Sequence, residues 1–303
     1  MADAILHEVF VSFSKDACAE VEILVDCLIN AGVDAADIVE SFQKSEHRVS
    51  VYFPTAARAG RIFRHIRKLM LPGVSVRRKI VRKEDWADRW KKDFKPFAIS
   101  KRLEVVPAWL KSKHQTRRRH VPLYIDTTLA FGTGLHETTQ FMVQLIERCQ
   151  GRFETFLDIG TGTGILTVAG LHCGAKRVTA IDISADAVKI ARDNLQINGF
   201  PAGNGSVKVL VKDIGAFSRS DRFDFVAANL VTHDLIANAD QVLRLVKPGG
   251  YLAVSGISIP NGRLFRKTFD RLPLKCLKIL KGETWLAFLY KKKELPLLRL
   301  RGG

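Results

Sequence analysis

The stretch Phe156-Leu157-Asp158-Ile159-Gly160-Thr161-Gly162-Thr163-Gly164-Ile165 constrains this chain more than any other. An apolar run ends in an acid, and three alternating glycines follow before a second apolar segment of helical length. A strand that turns sharply into a helix satisfies that pattern. The glycines allow a tight bend and close approach of a ligand to the main chain, and the N–H groups of the helix start can face an electron-rich group. Val178-Thr179-Ala180-Ile181-Asp182-Ile183 reads as the next strand and ends in Asp182, where a carboxylate can accept both hydroxyls of a ribose. Dinucleotide sites use G-x-G-x-x-G. Here Asp158, Gly160, Gly162 and Gly164 give D-x-G-x-G-x-G, the form associated with S-adenosylmethionine (SAM). Each part alone has a plainer reading, as a Gly-rich turn or as an acid ahead of a helix capped by Ser184. Together in one βαβ unit they point to a nucleotide site.

From Phe156 onward strands and helices alternate, which predicts a doubly wound, Rossmann-like α/β sheet. Helices are expected over 164–173, 184–198, 232–246 and 261–271. The two closing strands, near 275–281 and 284–290, follow each other without a helix. They imply an antiparallel edge hairpin, as in SAM methyltransferase sheets. Upstream, a strand at 8–13, an amphipathic helix over 16–31, a hairpin of 38–42 with 49–53, a helix opened by Thr55 and a strand at 74–81 give the order βαββαβ. That is the pattern of a small ferredoxin-like α+β domain. The expected division is 1–82 for this domain, 83–125 for a linker carrying Trp86, Trp90 and Trp109, 126–291 for the nucleotide-binding domain, and 292–303 for a basic tail.

A hydrophobic content of 47% over 303 residues can build both cores, and no apolar run approaches the length that spans a bilayer. The start lacks the basic and apolar regions of an export signal. Five cysteines without a C-x-x-C pair suit reduced thiols and a cytoplasmic location, and eight scattered histidines without ligand spacing predict no metal site. The net charge of +17 is concentrated between Arg58 and Arg119. Such a stretch is either a solvated basic face or a sign of proximity to RNA.

Ahead of the glycine turn, Ala130-Phe131-Gly132-Thr133-Gly134-Leu135-His136-Glu137-Thr138-Thr139 reads as a loop running into a helix. Phe131 can pack against a ligand and Thr138 can hydrogen-bond it; a plain Gly-rich turn with an N-cap fits as well. Asp224-Phe225-Val226-Ala227-Ala228-Asn229-Leu230 places Asn229 at the carboxyl end of a central strand, where open sheets carry reactive groups. An asparagine there can hold an amine with its lone pair aimed at a methyl carbon. These segments, with Trp86 to Trp90, Phe94 to Phe97, Pro107 to Trp109 and Lys247 to Ile257, resemble the bacterial ribosomal protein L11 methyltransferase family over nearly the whole chain. The resemblance implies SAM contacts at Thr138, Gly160, Asp182 and Asn229, Phe131 near the methyl group, and an N-terminal domain that grips the protein substrate. The expected reaction is N-methylation of lysine side chains of that ribosomal protein, with its N-terminal amine as a further candidate, and the chain is expected to be a monomer. Asp158 is the candidate for orienting the cofactor's amino-acid end. Asp213, after the strand at 207–212, is the candidate for its adenine amine, or else a turn residue. Methylation of another protein lysine or of rRNA, and a non-catalytic ribosome-binding role, are the competing readings.

Overall fold

The computed structural model describes residues 5–14, 24, 27–28, 31–33, 38–43, 46–69, 74–82, 94–126, 134–203 and 205–294. The described residues up to Pro96 form one compact unit, and those of 97–125 and from Gly134 onward form a second.

In the first unit β1 (Ile5–Ser14), β2 (Ile38–Gln43), β3 (Glu46–Phe53) and β4 (Ser75–Arg82) make an antiparallel sheet of order β2-β3-β1-β4. This is the ferredoxin-like order, with β1 and β3 central. Alternation along β1 sends Val9, Val11 and Phe13 to one face, where they meet Val49, Val51 and Phe53 of β3. Helix α1 (Ala56–Lys68), capped by Thr55, lays Ala59, Ile62 and Ile66 on that face. Leu24 and Leu28, which are helical, belong to the same core; most of the helix expected over 16–31 lies outside the described residues, as do Trp86 and Trp90.

In the second unit, residues 97–125 of the expected linker fold as three strands, β5 (Phe97–Ala98), β6 (Leu103–Pro107) and β7 (Val121–Ile125). β6 is buried along its whole length and pairs antiparallel with β5 and parallel with β7. Buried Glu104 is held there by His114 Nε2 and the Arg117 amide, 2.9 and 3.2 Å from Oε1.

The large sheet comprises β8 (Thr155–Ile159), β9 (Arg177–Asp182), β10 (Val207–Val211), β11 (Phe223–Asn229), β12 (Val246–Ser258), β13 (Leu274–Lys281) and β14 (Trp285–Lys292), in the order β10-β9-β8-β11-β12-β14-β13. The first five are parallel, and β14 runs antiparallel to both its neighbours, which is the expected edge hairpin. All five residues of β8 are buried, the polar Thr155 and Asp158 with the apolar Phe156, Leu157 and Ile159, as a central strand of a parallel sheet covered on both faces requires. Helices α2 (Glu137–Arg148), α3 (Ile165–His172), α4 (Ala185–Ile197), α5 (Thr232–Ala237), α6 (Ala239–Leu245) and α7 (Gly262–Phe269) supply the cover. The single helix expected over 232–246 is broken at Asn238. Its side-chain amide donates to Asp234 O and its backbone leaves helical geometry. Strand order reverses between β8 and β11, and the carboxyl ends of these two strands are where open α/β sheets place a ligand crevice.

Phe225 anchors β11 against Phe153 and Phe156 with ring centroids 4.9 and 5.3 Å away, and is fully buried. Phe225→Ala is expected to lower the unfolding free energy by about 3–5 kcal/mol, measured by urea denaturation. A loss below about 1 kcal/mol would mean that the three rings are not a packing unit.

Candidate active site

At the end of β8 the chain turns through Gly160, Gly162 and Gly164 with φ of 72°, 53° and 80°. These are left-handed conformations that favour glycine. Two of the glycines are also closely approached. A Cβ on Gly160 would stand 2.7 Å from Leu230 Cδ2, and one on Gly164 would stand 3.1 Å from Ala191 Cβ on α4. The amides of Gly160 and Thr161 both donate to Ile181 O at 2.9 Å, Gly162 N donates to Asp182, and Gly164 N donates to Thr161 O. The hydrogens of these four turn amides are therefore spent inside the protein, and they are distinct from the amides of the α3 start, which begins at Ile165. What the turn offers a ligand is a backbone edge without side chains.

Asp158 is fully buried beneath the turn. Its Oδ2 accepts from Thr161 Oγ1 at 2.8 Å and from Thr167 Oγ1 at 2.7 Å, so one carboxylate oxygen fastens both the turn and the first part of α3. Its Oδ1 meets no hydrogen-bond partner among the described residues. Burial pushes the carboxyl up to about 6, against the threonine hydroxyls that lower it, and the Asp182 charge raises it further. Asp182, half-buried at the end of β9, accepts from Gly162 N through Oδ2 and from Ser184 N through Oδ1, each at 3.0 Å. It thereby joins two successive strand-to-helix turns. Each oxygen keeps a lone pair for a further donor. Asp213 is exposed, and its Oδ1 accepts from Gly215 N at 2.7 Å, capping a short 3-10 turn.

Asn229 ends β11, and its Nδ2 donates to Thr138 Oγ1 at 3.2 Å across 91 positions of sequence. Thr138 lies in the first turn of α2, 1% exposed, and His136 is the N-cap. His136 Nδ1 stands 2.7 Å from Thr138 Oγ1 and accepts from the Thr138 amide at 3.3 Å. An acceptor Nδ1 takes the Thr138 hydroxyl proton, so Oγ1 is free to accept from Asn229 and the amide's orientation is fixed. No donor among the described residues meets the Asn229 carbonyl oxygen. Local sequence reading named Thr138 and Asn229 but did not assign His136, whose ring also packs edge-on against Trp285 at 5.3 Å. Glu137 accepts from the amides of Glu283 and Trp285, both at 3.2 Å, and holds the start of α2 against the β13–β14 turn. The segment after Asn229 rests on Gly256, where a Cβ would fall 2.1 Å from Leu230 O. Phe131 lies outside the described residues.

The raised Asp158 carboxyl has a stability consequence of definite sign. A folded-state value of about 6 against an ordinary 3.8 means that the folded protein holds the proton more tightly. The stabilisation it gives is full below about pH 4 and is lost as pH rises through 6. Unfolding free energies of wild type minus Asp158→Asn are expected to fall by roughly 3 kcal/mol between about pH 4 and pH 7. A flat difference across that range would place the Asp158 titration elsewhere.

A family model described as Ribosomal protein L11 methyltransferase (PrmA) matches residues 11–293. A ribosomal protein L11 methyltransferase of Pelobacter propionicus is 32% identical over 280 residues, covering 88% of this chain and 88% of the relative. One from Desulfosudis oleivorans is 39% identical over 179 residues, 59% of this chain and 58% of the other. The crystal structure of ribosomal protein L11 methylase from Lactobacillus delbrueckii subsp. bulgaricus has a TM-score of 0.60 at 25% identity, covering 66% of this chain and 100% of that one. With its glycine turn, its acid-ended strands and a parallel sheet closed by an antiparallel hairpin, the chain belongs to the ribosomal protein L11 methyltransferase family and has its Rossmann-like SAM-dependent methyltransferase fold.

Proposed function

We propose that this chain transfers methyl groups from SAM to amines of ribosomal protein L11, principally lysine side chains, as a cytoplasmic monomer. One observation carries the chemistry: the Asn229 amide is locked by Thr138 and His136 at the crevice between β8 and β11. Family membership supports the substrate. The residues present also suit the cofactor. The bare edge of the glycine turn accommodates close approach, Asp182 keeps lone pairs for two hydroxyls, and Asp158 carries an unpaired buried oxygen. Asp158 acts in this reading mainly by bracing the turn, and Asp213 is reserved for the adenine amine.

When bound, SAM supplies a methyl group on a sulfonium that a neutral amine can displace without further activation. The protein's task is then alignment and exclusion of water. Asn229 Oδ1 accepts an N–H of the substrate amine and turns its lone pair toward the methyl carbon. Thr138 keeps the amide from flipping, since it accepts from Nδ2 while giving its own proton to His136. A neutral amide cannot take the amine's proton near pH 7, so the lysine must arrive deprotonated or lose its proton to water. The basic stretch of 94–126, with Lys111, Lys113 and Arg117 to Arg119, suits a substrate that is met close to rRNA.

Purified protein incubated with L11 and isotopically labelled SAM is expected to give methylated lysines on mass spectrometry; modification of rRNA with none on L11 would replace the substrate assignment. Asn229→Ala is expected to lower kcat on the order of 100-fold while the alkaline rise in rate persists. Wild-type kcat in that variant at saturating SAM would make Asn229 a structural strand end. Asp182→Ala is expected to weaken SAM binding by about 1.5–3 kcal/mol in calorimetry, because a charged acceptor of ribose hydroxyls is lost. An unchanged dissociation constant would remove Asp182 from the cofactor site.

A further inference from the structure

Parallel pairing of β6 with β7 makes the connection between them, residues 108–120, run back to where β6 begins, so Arg117, Arg118 and Arg119 come to lie beside Lys101 and Arg102. Val121 N donates to Arg102 O at 2.7 Å and closes the join. Residues 97–125 hold seven lysines and arginines against one acid, Glu104, and that acid is 0% exposed. It braces the connection from beneath: Oε1 accepts from His114 Nε2 and the Arg117 amide, and Oε2 lies 3.7 Å from Arg117 Nε. Lys111 is spent on Ile197 O at the end of α4. Lys101, Arg118 and Arg119 are exposed, and their side chains meet no carboxylate among the described residues. Arg119 is the strained member, since its φ of 73° is the one positive value outside glycine among the described residues. Glycine would make the same turn at lower cost, so the guanidinium and not the backbone accounts for the residue.

From Lys111 to Arg119 the connection has no apolar side chain, so nothing in it can enter a lipid interface or fill the apolar centre of a protein interface. The patch is also remote from the reacting amide. Glu147, in the last turn of α2, accepts from the amides of Lys101 and Arg102, whereas Thr138 stands in the first turn, about 14 Å away along the helix axis. We propose that this face binds the phosphate backbone of RNA, with Lys101, Arg118 and Arg119 as the contacts and Arg117, held by Glu104, as the brace. Guanidinium forks match phosphate oxygens, and such contacts position a polyanion without reading its sequence. The inference deepens the proposed function by adding a second contact, RNA, to the protein substrate.

The test is fluorescence anisotropy of the full chain with a fluorescein-labelled RNA hairpin of about 20 nucleotides, titrated at several salt concentrations around 0.15 M. SAM and L11 are left out, so a failure of L11 methylation and a failure of RNA binding are read separately. Arg119→Gly removes the cation and relaxes the turn. It is expected to melt at or above the wild-type temperature by circular dichroism, to weaken binding about fivefold and to lower the salt slope by about one. Adding Arg118→Gln is expected to lower the slope by about two; if that double variant fails to fold, Arg118→Gln alone decides. Arg263→Gln with Lys267→Gln removes the same charge from the exposed side of α7 and is expected to leave the slope unchanged. Equal losses from the two double variants would reduce the interaction to general polyanion attraction and overturn the proposal. So would wild-type RNA affinity in the Arg118→Gln, Arg119→Gly variant, including the case in which it instead loses affinity for L11 or for phosphatidylglycerol vesicles.

Discussion

The catalytic unit depends on a carboxylate it cannot easily afford to bury. Asp158 lies at the end of the most enclosed strand of the sheet, and its two threonine hydrogen bonds keep the glycine turn from relaxing. A turn built from three left-handed glycines has high conformational entropy when unfolded and little side-chain packing of its own. Fixed points must come from elsewhere, and Asp158 below and Asp182 beside it provide them. The electrostatic strain of that burial is the cost of holding the backbone edge open to a ligand.

The second fixed point is the Asn229–Thr138–His136 chain. Its members come from a strand end and a helix start far apart in sequence, brought together because β11 and α2 border the same crevice. Each hydrogen bond determines the direction of the next, so the orientation of one amide is inherited from the tautomer of a histidine two residues before a threonine. In the mechanism proposed above this neutral chain suits a nucleophile that must itself stay neutral.

Much of this was legible in the chain. Alternating glycines after an acid can only be a tight strand-to-helix turn, and two closing strands without a helix can only be antiparallel neighbours, so sheet type and crevice followed from local pattern. Residues 97–125 were not legible as strands. β5 spans two residues, and β6 carries Glu104 within an apolar run, so the pattern resembles a junction. The break at Asn238 was hidden as well, because the apolar period continues through it while one side-chain amide ends the helix. Thr138 and Asn229 could be named separately, but their bond is tertiary, and nothing in either segment encodes the other. The hydrogen bonds of the Gly160, Thr161 and Gly162 amides were not legible for the same reason: their acceptors, Ile181 and Asp182, lie on a different strand.

Glu137 links the catalytic helix to the outer hairpin through the amides of Glu283 and Trp285, and a Cβ on Gly282 would fall 1.8 Å from its Oε1. The smallest residue at one site and a long acid at the other are thus a single fitted pair. A side chain at Gly282 would push the Glu137 carboxylate off the amides of Glu283 and Trp285, so the smallness of one hairpin residue keeps the start of α2 fastened to the sheet edge.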